Sequence, residues 1–329
     1  VRWWTGNSAR VADRQPGVND LTLRAISGAD ELGLFSRLPY VLNRELADDL
    51  AAGRRRPEWM WVVLRDGELV ARLAWWARAA GDAPMFLDIL DLAEGEDAGT
   101  GVRLLETAGA AVLPEGTRRP GYTRFVPPDW REDAAVRPGV EDRMGIVERT
   151  GGRLFVERLR LEWRRGTPVP EPSGRLAFRE VRDRAELVGL MTQVLDGTLD
   201  AHSRDDLTRM TAAQAAEQQY DDELERYASP RAWWRVATLP DSGEPVGFVI
   251  PARNAYNPII AYIAVLPAHR GKGYIDEVLA EGTRVLADQD EQDVPRIRAS
   301  TDLGNVPMAK AFERAGYVNF ERQIDMTWA

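Results

Sequence analysis

The sequence predicts an α/β chain (α+β by element segregation) built as two successive units, and three observations carry that prediction. The order strand, two helices, hairpin, strand, helix, strand, helix, strand runs twice along the 329 residues. A proline-rich stretch from Gly166 to Gly174 breaks all periodicity between the two runs. The second run also contains a short apolar strand that feeds a glycine turn opening an amphipathic helix.

In chain order, residues 1–20 are poorly patterned and read as an N-terminal arm. Leu21–Ile26 alternates as a strand, and helical patterns follow over 30–38 and 43–52. The run Arg54-Arg55-Arg56 reads as a solvated loop. Residues 59–64 and 69–77 form a hairpin around Asp66-Gly67, a strong two-residue turn signal. A strand over 86–90, a helix over 101–112, a short strand at 125–126, a helix over 140–150 and a strand over 154–163 complete the first unit, 21–165. After the 166–174 linker the second unit spans 175–329, with a strand at 176–181 and helices expected over 184–194 and 207–227. A hairpin turns at Ser242-Gly243. The tryptophans of strand-like runs, among them Trp59, Trp75 and Trp234, read as core packing.

Composition narrows the function. There is no cysteine, which removes disulfides, thiolate metal sites and cysteine nucleophiles and fits a cytoplasmic setting. Two histidines, His202 and His269, are too few for a histidine-rich metal site, and no metal is expected. No apolar run reaches membrane-spanning length, so no membrane partner is expected. A net charge of −9 disfavours nucleic acid and leans toward cationic small molecules.

The most informative stretch is Ile259 to Glu281. The run Ile259–Leu266 reads as a buried strand stopped by Pro267, and Ile275, Val278, Leu279, Gly282, Val285 and Leu286 recur at helical spacing. Between them lies His269-Arg270-Gly271-Lys272-Gly273-Tyr274. The open amides of a helix start, glycines that allow close approach, and two cations together favour a phosphate. A P-loop is excluded because Gly273 stands where Ser or Thr would hold magnesium, and a dinucleotide fingerprint because Asp276 stands where glycine is needed. One strand later, Asn305 can cap a helix that has Pro307 in its first turn and ends at Gly316-Tyr317.

The Arg270-x-x-Gly273 turn and the Asn305-to-Gly316-Tyr317 segment, in that order, resemble the pyrophosphate loop and closing motif of the GNAT superfamily of acyl-CoA-dependent N-acyltransferases. Ile275 departs from the small residue usual at the end of that loop. The resemblance implies two tandem GNAT-like domains, each a mixed, largely antiparallel sheet flanked by helices, with a splayed central parallel pair. It implies acyl transfer, most often acetyl, from acetyl-CoA to a small-molecule amine by direct attack on the thioester. Ala264, Val265, Arg270, Gly271, Lys272, Gly273, Tyr274, Ile275 and Asn305 then fall at the donor site. The first unit departs at the matching loop, Glu94-Gly95-Glu96-Asp97-Ala98-Gly99-Thr100-Gly101, where carboxylates would repel a pyrophosphate. Acetyl-CoA is therefore expected in the second unit alone.

The tyrosine that usually protonates the leaving thiolate is replaced by Phe312, leaving Tyr262, Tyr256 or Tyr317 as substitutes. The strand before the loop has no carboxylate, so the segment Asp196–Asp206 is the best source of a base, with Asp200, His202 and Asp205 as candidates. His269 is expected beside the phosphates. The C-terminal carboxylate is an outside candidate for the base. Two other readings remain open: a CoA-binding sensor or scaffold without turnover, and a Fem-like tRNA-dependent aminoacyl transferase, which the acidic balance disfavours. A homodimer is compatible with the sequence.

Overall fold

The structure, a computed structural model, describes residues 21–289 and 294–328; the expected arm and the C-terminal carboxylate lie outside the described residues. The first repeat contains β1 (Leu21–Ala25), α1 (Leu32–Phe35), α2 (Leu46–Ala51), β2 (Met60–Arg65), β3 (Glu68–Trp76), β4 (Phe86–Leu92), α3 (Ala98–Val112), β5 (Gly121–Val126), α4 (Arg137–Arg149) and β6 (Gly152–Arg164). The second contains β7 (Ala177–Glu180), α5 (Arg184–Val194), α6 (Ala201–Asp206), α7 (Ala212–Asp222), β8 (Arg235–Thr238), β9 (Pro245–Arg253), β10 (Pro258–Val265), α8 (Tyr274–Ala287), β11 (Arg296–Asp302), α9 (Val306–Arg314) and β12 (Val318–Trp328).

The chain forms two compact units, 21–121 with 142–151 and 328, and 122–141 with 152–327. In the first, β1 to β4 make an antiparallel meander. Its β2–β3 hairpin turns on Asp66 and Gly67, both at positive φ (54° and 84°), the conformation a tight hairpin turn needs. Arg55 is not solvated as the sequence suggests. It is 1% exposed and joins Asp49 (3.2 Å) and Asp88 (2.6 Å), because the two carboxylates buried around it need a cation.

In the second unit the strands run in the order β5-β12-β6-β11-β10-β9-β8-β7. The sequential neighbour of β11 is β12, joined through α9, yet the two do not pair. Instead β11 pairs antiparallel with β6 (Ile297↔Trp163, Asp302↔Arg158). β12 pairs antiparallel with β5 (Arg322↔Val126, Met326↔Tyr122). The final strands of the two repeats have thus exchanged partners. The contact boundary therefore does not follow the 166–174 stretch, since pairing draws β5 and β6 into the second unit. That stretch lies along α8, where Pro170 accepts a hydrogen bond from Arg284 (2.7 Å) and Ser173 donates one to Glu277 (2.7 Å).

Helices cover both faces of this sheet. On one face α8 and α9 bury Val278, Leu279, Leu286 and Phe312 against Trp163, Val249, Ile260 and Ile297. On the other, α5 and α7 bury Leu187, Met191, Ala216 and Tyr220 against Trp234, Val236 and Phe248. The helix expected over 207–227 is shortened to α7, and the separate helix α6 and a break precede it. Thr211 and Gln214 form a reciprocal capping box that starts α7 and fixes the break.

Candidate active site

β10 and β11 are parallel neighbours, but only Ile259↔Arg298 pairs them. Beyond that point no further pair joins them among the described residues, and Tyr262 to Val265 are only partly buried. A register shift between Ile260 and Tyr262 accompanies the departure. On its other side β10 stays paired with β9, and Leu266 N–H donates to Val246 (2.8 Å). Antiparallel alternation then puts the amides of Ile263 and Val265 on the β11 side, facing the gap, and Ala264 on the β9 side. Gly247 is required here, because a Cβ would stand 2.4 Å from the Ala264 carbonyl oxygen.

The strand's end leads directly into the glycine turn. Gly271 and Gly273 are both left-handed (φ 78° and 76°), and Gly273 is the N-cap of α8 with no side chain capping it. Among the described residues, no acceptor meets the amides of Gly271, Lys272, Gly273, Tyr274 or Ile275. This is an open anion cradle at the head of a 14-residue helix. Asn305 caps α9 by accepting from Met308 N–H (3.4 Å), and Arg314 of α9 grips Asp276 of α8 (2.7 Å).

The turn's two cations point elsewhere. Arg270 donates to the carbonyls of Val194 (2.8 Å), Asp196 (2.6 Å) and Val265 (3.2 Å). It thereby ties the end of β10 to the end of α5. Lys272 Nζ donates to the Ala268 carbonyl (3.1 Å). Arg175, which the sequence did not mark, donates to the Lys272 carbonyl (2.6 Å) and lies 4.7 Å over the Tyr274 ring. His269 is buried, with Nε2 3.1 Å from Glu244 and its ring edge-on to Tyr274 at the start of α8 (6.2 Å).

The segment after α5 reaches across the mouth of the gap. Arg270 holds its start, and the buried Asp302 carboxylate at the end of β11 accepts from Ala201 N–H (2.6 Å), the first residue of α6. Asp200 caps α6 by accepting from Ser203 N–H (2.8 Å). Arg158 of β6 lies 3.0 Å from Asp302 and 3.8 Å from Asp200. His202 stands edge-on to Phe155 (ring centroids 4.8 Å) with Nε2 3.7 Å from Asp325 of β12. Asp325 accepts from Thr123 Oγ1 (2.6 Å) and Gln323 Nε2 (3.0 Å). Asp205 pairs with Arg209 (2.8 Å) and stands outside this group.

Charge and burial set the protonation of the group. For His202, burial lowers the pKa and Arg158 opposes a positive ring, but Asp325 and Asp200 outweigh them and the net shift is upward. Asp200 ends below the usual range: burial pushes it up, and Arg158 with the Ser203 amide pulls it further down. Asp302 is raised, first by burial and then by the charge of Asp200. Tyr262 is raised by burial and by Asp200, so its phenol keeps its proton. Tyr317 is buried, with its hydroxyl 2.8 Å from Thr283, and Phe312 packs on it at 5.0 Å. Tyr256 lies before β10, at the end opposite the gap. Of the three phenols, Tyr262 is the one at the splayed strand.

The matching loop of the first repeat is closed by its own side chains. Glu96 takes two bonds from Arg65 (2.6 and 2.9 Å) and one from Thr100 (2.7 Å). Asp97 caps α3 by accepting from Gly99 N–H (2.9 Å), using an amide that a phosphate would need.

Asp325, Thr123, Gln323 and Arg158 were missed in the sequence. For Asp325, Gln323 and Arg158 the one signal is polar residues alternating with Ile324, Met326, Leu159 and Leu161 on β12 and β6; Thr123, on β5, carries none. Among the described residues, no group of three or more His, Asp or Glu could hold a metal ion, and no helix is long and apolar enough to cross a membrane.

Comparison with known proteins adds the family. Residues 175–318 match the family model described as an acetyltransferase (GNAT) domain. No match was found among curated proteins. The fold is similar to a GCN5-related N-acetyltransferase from Sphaerobacter thermophilus, at 16% identity and TM-score 0.58 over 93% of this chain and 94% of that one. It is also similar to a tandem GNAT protein of the clavulanic acid biosynthesis pathway, at 15% identity and TM-score 0.54 over 94% and 98%. A glucosamine N-acetyltransferase region of a fungal multi-domain β-N-acetylglucosaminidase aligns at 13% identity and TM-score 0.57, over 97% of this chain and 39% of that one. An open helix-start cradle beside a splayed parallel pair, a matching domain model and this shared fold lead to one statement: residues 175–318 match a GNAT acetyltransferase domain, and the whole chain shares the fold of a tandem GNAT protein.

Proposed function

We propose that the protein transfers an acetyl group from acetyl-CoA to a small-molecule amine, with the donor held in the second repeat. The observation that carries this reading is the strand pair joined only at Ile259↔Arg298, followed at once by the unfilled amides of 271–275. The pyrophosphate would sit on those amides, where the helix dipole and left-handed glycines favour it. The pantetheine arm would occupy the gap, and the Ile263 and Val265 amides face where the thioester oxygen would lie. Arg270 supports the donor site indirectly, by fixing the segment that crosses the gap. The self-capped loop of the first repeat supports one donor site per chain.

In this reading the amine enters beside α6. It must lose a proton before its nitrogen attacks the thioester carbon, and His202 would take it. The C–S bond then breaks as the amide forms. The leaving thiolate can take a proton from Tyr262, or leave as the anion, which a thiol with an ordinary pKa near 8.5 tolerates.

A sensor or scaffold is the second reading. Phe312 favours it, since the usual phenol position is an apolar ring sealed in the core. Thiol release from acetyl-CoA across a panel of amino sugars, diamines and amino acids separates the two, with glucosamine included because of the fungal relative. Amine-dependent release above the hydrolysis background supports catalysis. Tight acetyl-CoA binding with no amine-dependent release across the panel would support the sensor.

A further inference from the structure

We infer that Asp325, braced by Thr123 and Gln323, is the positioning residue that sets the tautomer of His202 and leaves its Nδ1 as the proton acceptor for the incoming amine. This deepens the acyl-transfer reading and rests on it. All three supporting residues lie outside residues 175–318, so the domain match assigns none of them a role.

The geometry is specific. Asp325 is 6% exposed, and both its oxygens are engaged: Oδ1 takes the Thr123 hydroxyl (2.6 Å), and Gln323 Nε2 reaches both (3.0 Å each). A buried carboxylate held by a hydroxyl and an amide is fixed in direction. Its Oδ2 lies 3.7 Å from His202 Nε2, within ion-pair range and a small side-chain rotation from a hydrogen bond. An Nε2–H aimed at a carboxylate leaves Nδ1 with the lone pair. Phe155 restrains the ring from one side at 4.8 Å.

Other groups around the imidazole do not substitute for Asp325. On α6 itself, Asp200 is occupied with the Ser203 amide, and Asp205 with Arg209. From β11, Asp302 is bound to Ala201 and Arg158. From β6, Arg158 opposes a protonated ring. From β12, Asp325 is the carboxylate at ion-pair distance from Nε2, and it raises His202 more than the charge of Asp200 does.

The test uses the full chain with ¹⁵N-labelled histidine. Only two imidazoles exist, so the signals are assigned by comparison with His202→Gln. The wild-type His202 ring should be the Nε2–H tautomer and titrate above the free-imidazole value. Asp325→Asn should move that titration downward and mix the tautomers, while Thr123→Val should move it part of the way. If Asp325→Asn does not fold, Thr123→Val and Gln323→Leu carry the same reading. With an acceptor in hand, Asp325→Asn should lower kcat roughly 10- to 100-fold, leave the acetyl-CoA KM unchanged and shift the acidic limb of kcat/KM to lower pH. Asp325→Glu should recover part of the loss.

An Nδ1–H tautomer in the wild type, or an unchanged titration in Asp325→Asn, overturns the inference. So does full activity in His202→Gln. The spectroscopic arm needs no substrate, so a wild type inactive on every amine would refute the acyl-transfer reading and not the positioning.

Discussion

Arg55 sits 1% exposed between two carboxylates, Asp49 and Asp88, in the first unit. Burial raises the pKa of Asp88, and the Arg55 guanidinium works against that rise. Arg55→Ala strands the buried Asp88 carboxylate, while Asp49 keeps Arg54 (2.8 Å), and should destabilise the first unit by about 3–5 kcal/mol. Urea denaturation measures it, and a loss under about 1 kcal/mol would show that Asp88 has another counter-charge. His202 carries the pH dependence at this scale. Its folded pKa lies above the unfolded value, so its contribution to stability is full below about pH 6.5 and fades as pH rises through the folded pKa. The melting-temperature gap between wild type and His202→Gln should therefore be wider at pH 5.5 than at pH 8.5; a gap that widens with pH would contradict the Asp325 pairing. Legibility differed among residues of the site. Gly271, Gly273 and Asn305 announce themselves, because a left-handed turn and a helix cap require particular residue types. Arg270 announced a charge but not its partners, since three carbonyls from 194, 196 and 265 meet only in space. Arg55 misled for the same reason: Asp88 is 33 positions away.

At the level of elements, the exchange of β6 and β12 decides what each repeat can do alone. Apolar periodicity placed nearly every strand and helix, because each buries one side and the period is written locally. Strand partnership is not local. Nothing in β11 distinguishes β6 from β12 as its neighbour, so the sequence order suggested a break at 166–174 that the contacts do not follow. Residues 175–329 alone would leave β11 and β12 without β6 and β5, exposing edges along the centre of a sheet. That fragment should lack near-UV circular dichroism and aggregate or self-associate, although it contains the whole matched domain. A soluble, cooperatively folding monomer from 175–329 would contradict the exchanged pairing. The Gly247 contact makes a finer test of β10. Gly247→Ala puts a methyl 2.4 Å from the Ala264 carbonyl oxygen, which backbone cannot easily yield. It should shift β10 where the donor is proposed to bind and weaken acetyl-CoA at least several-fold; unchanged affinity would place the donor elsewhere.

For the whole molecule, the two repeats share an element order and have divergent loops. In the first, Glu96 and Asp97 fill their own anion site; in the second, the amides of 271–275 stay open. This contrast calls for one donor per chain, in the second repeat. Calorimetric titration of acetyl-CoA into the full chain tests it most directly, in parallel with Gly273→Val, whose side chain would crowd the cradle at a left-handed position (φ 76°). The wild type should bind one acetyl-CoA per chain, and Gly273→Val none measurable. Two equivalents per chain, or one equivalent that survives Gly273→Val, would contradict it.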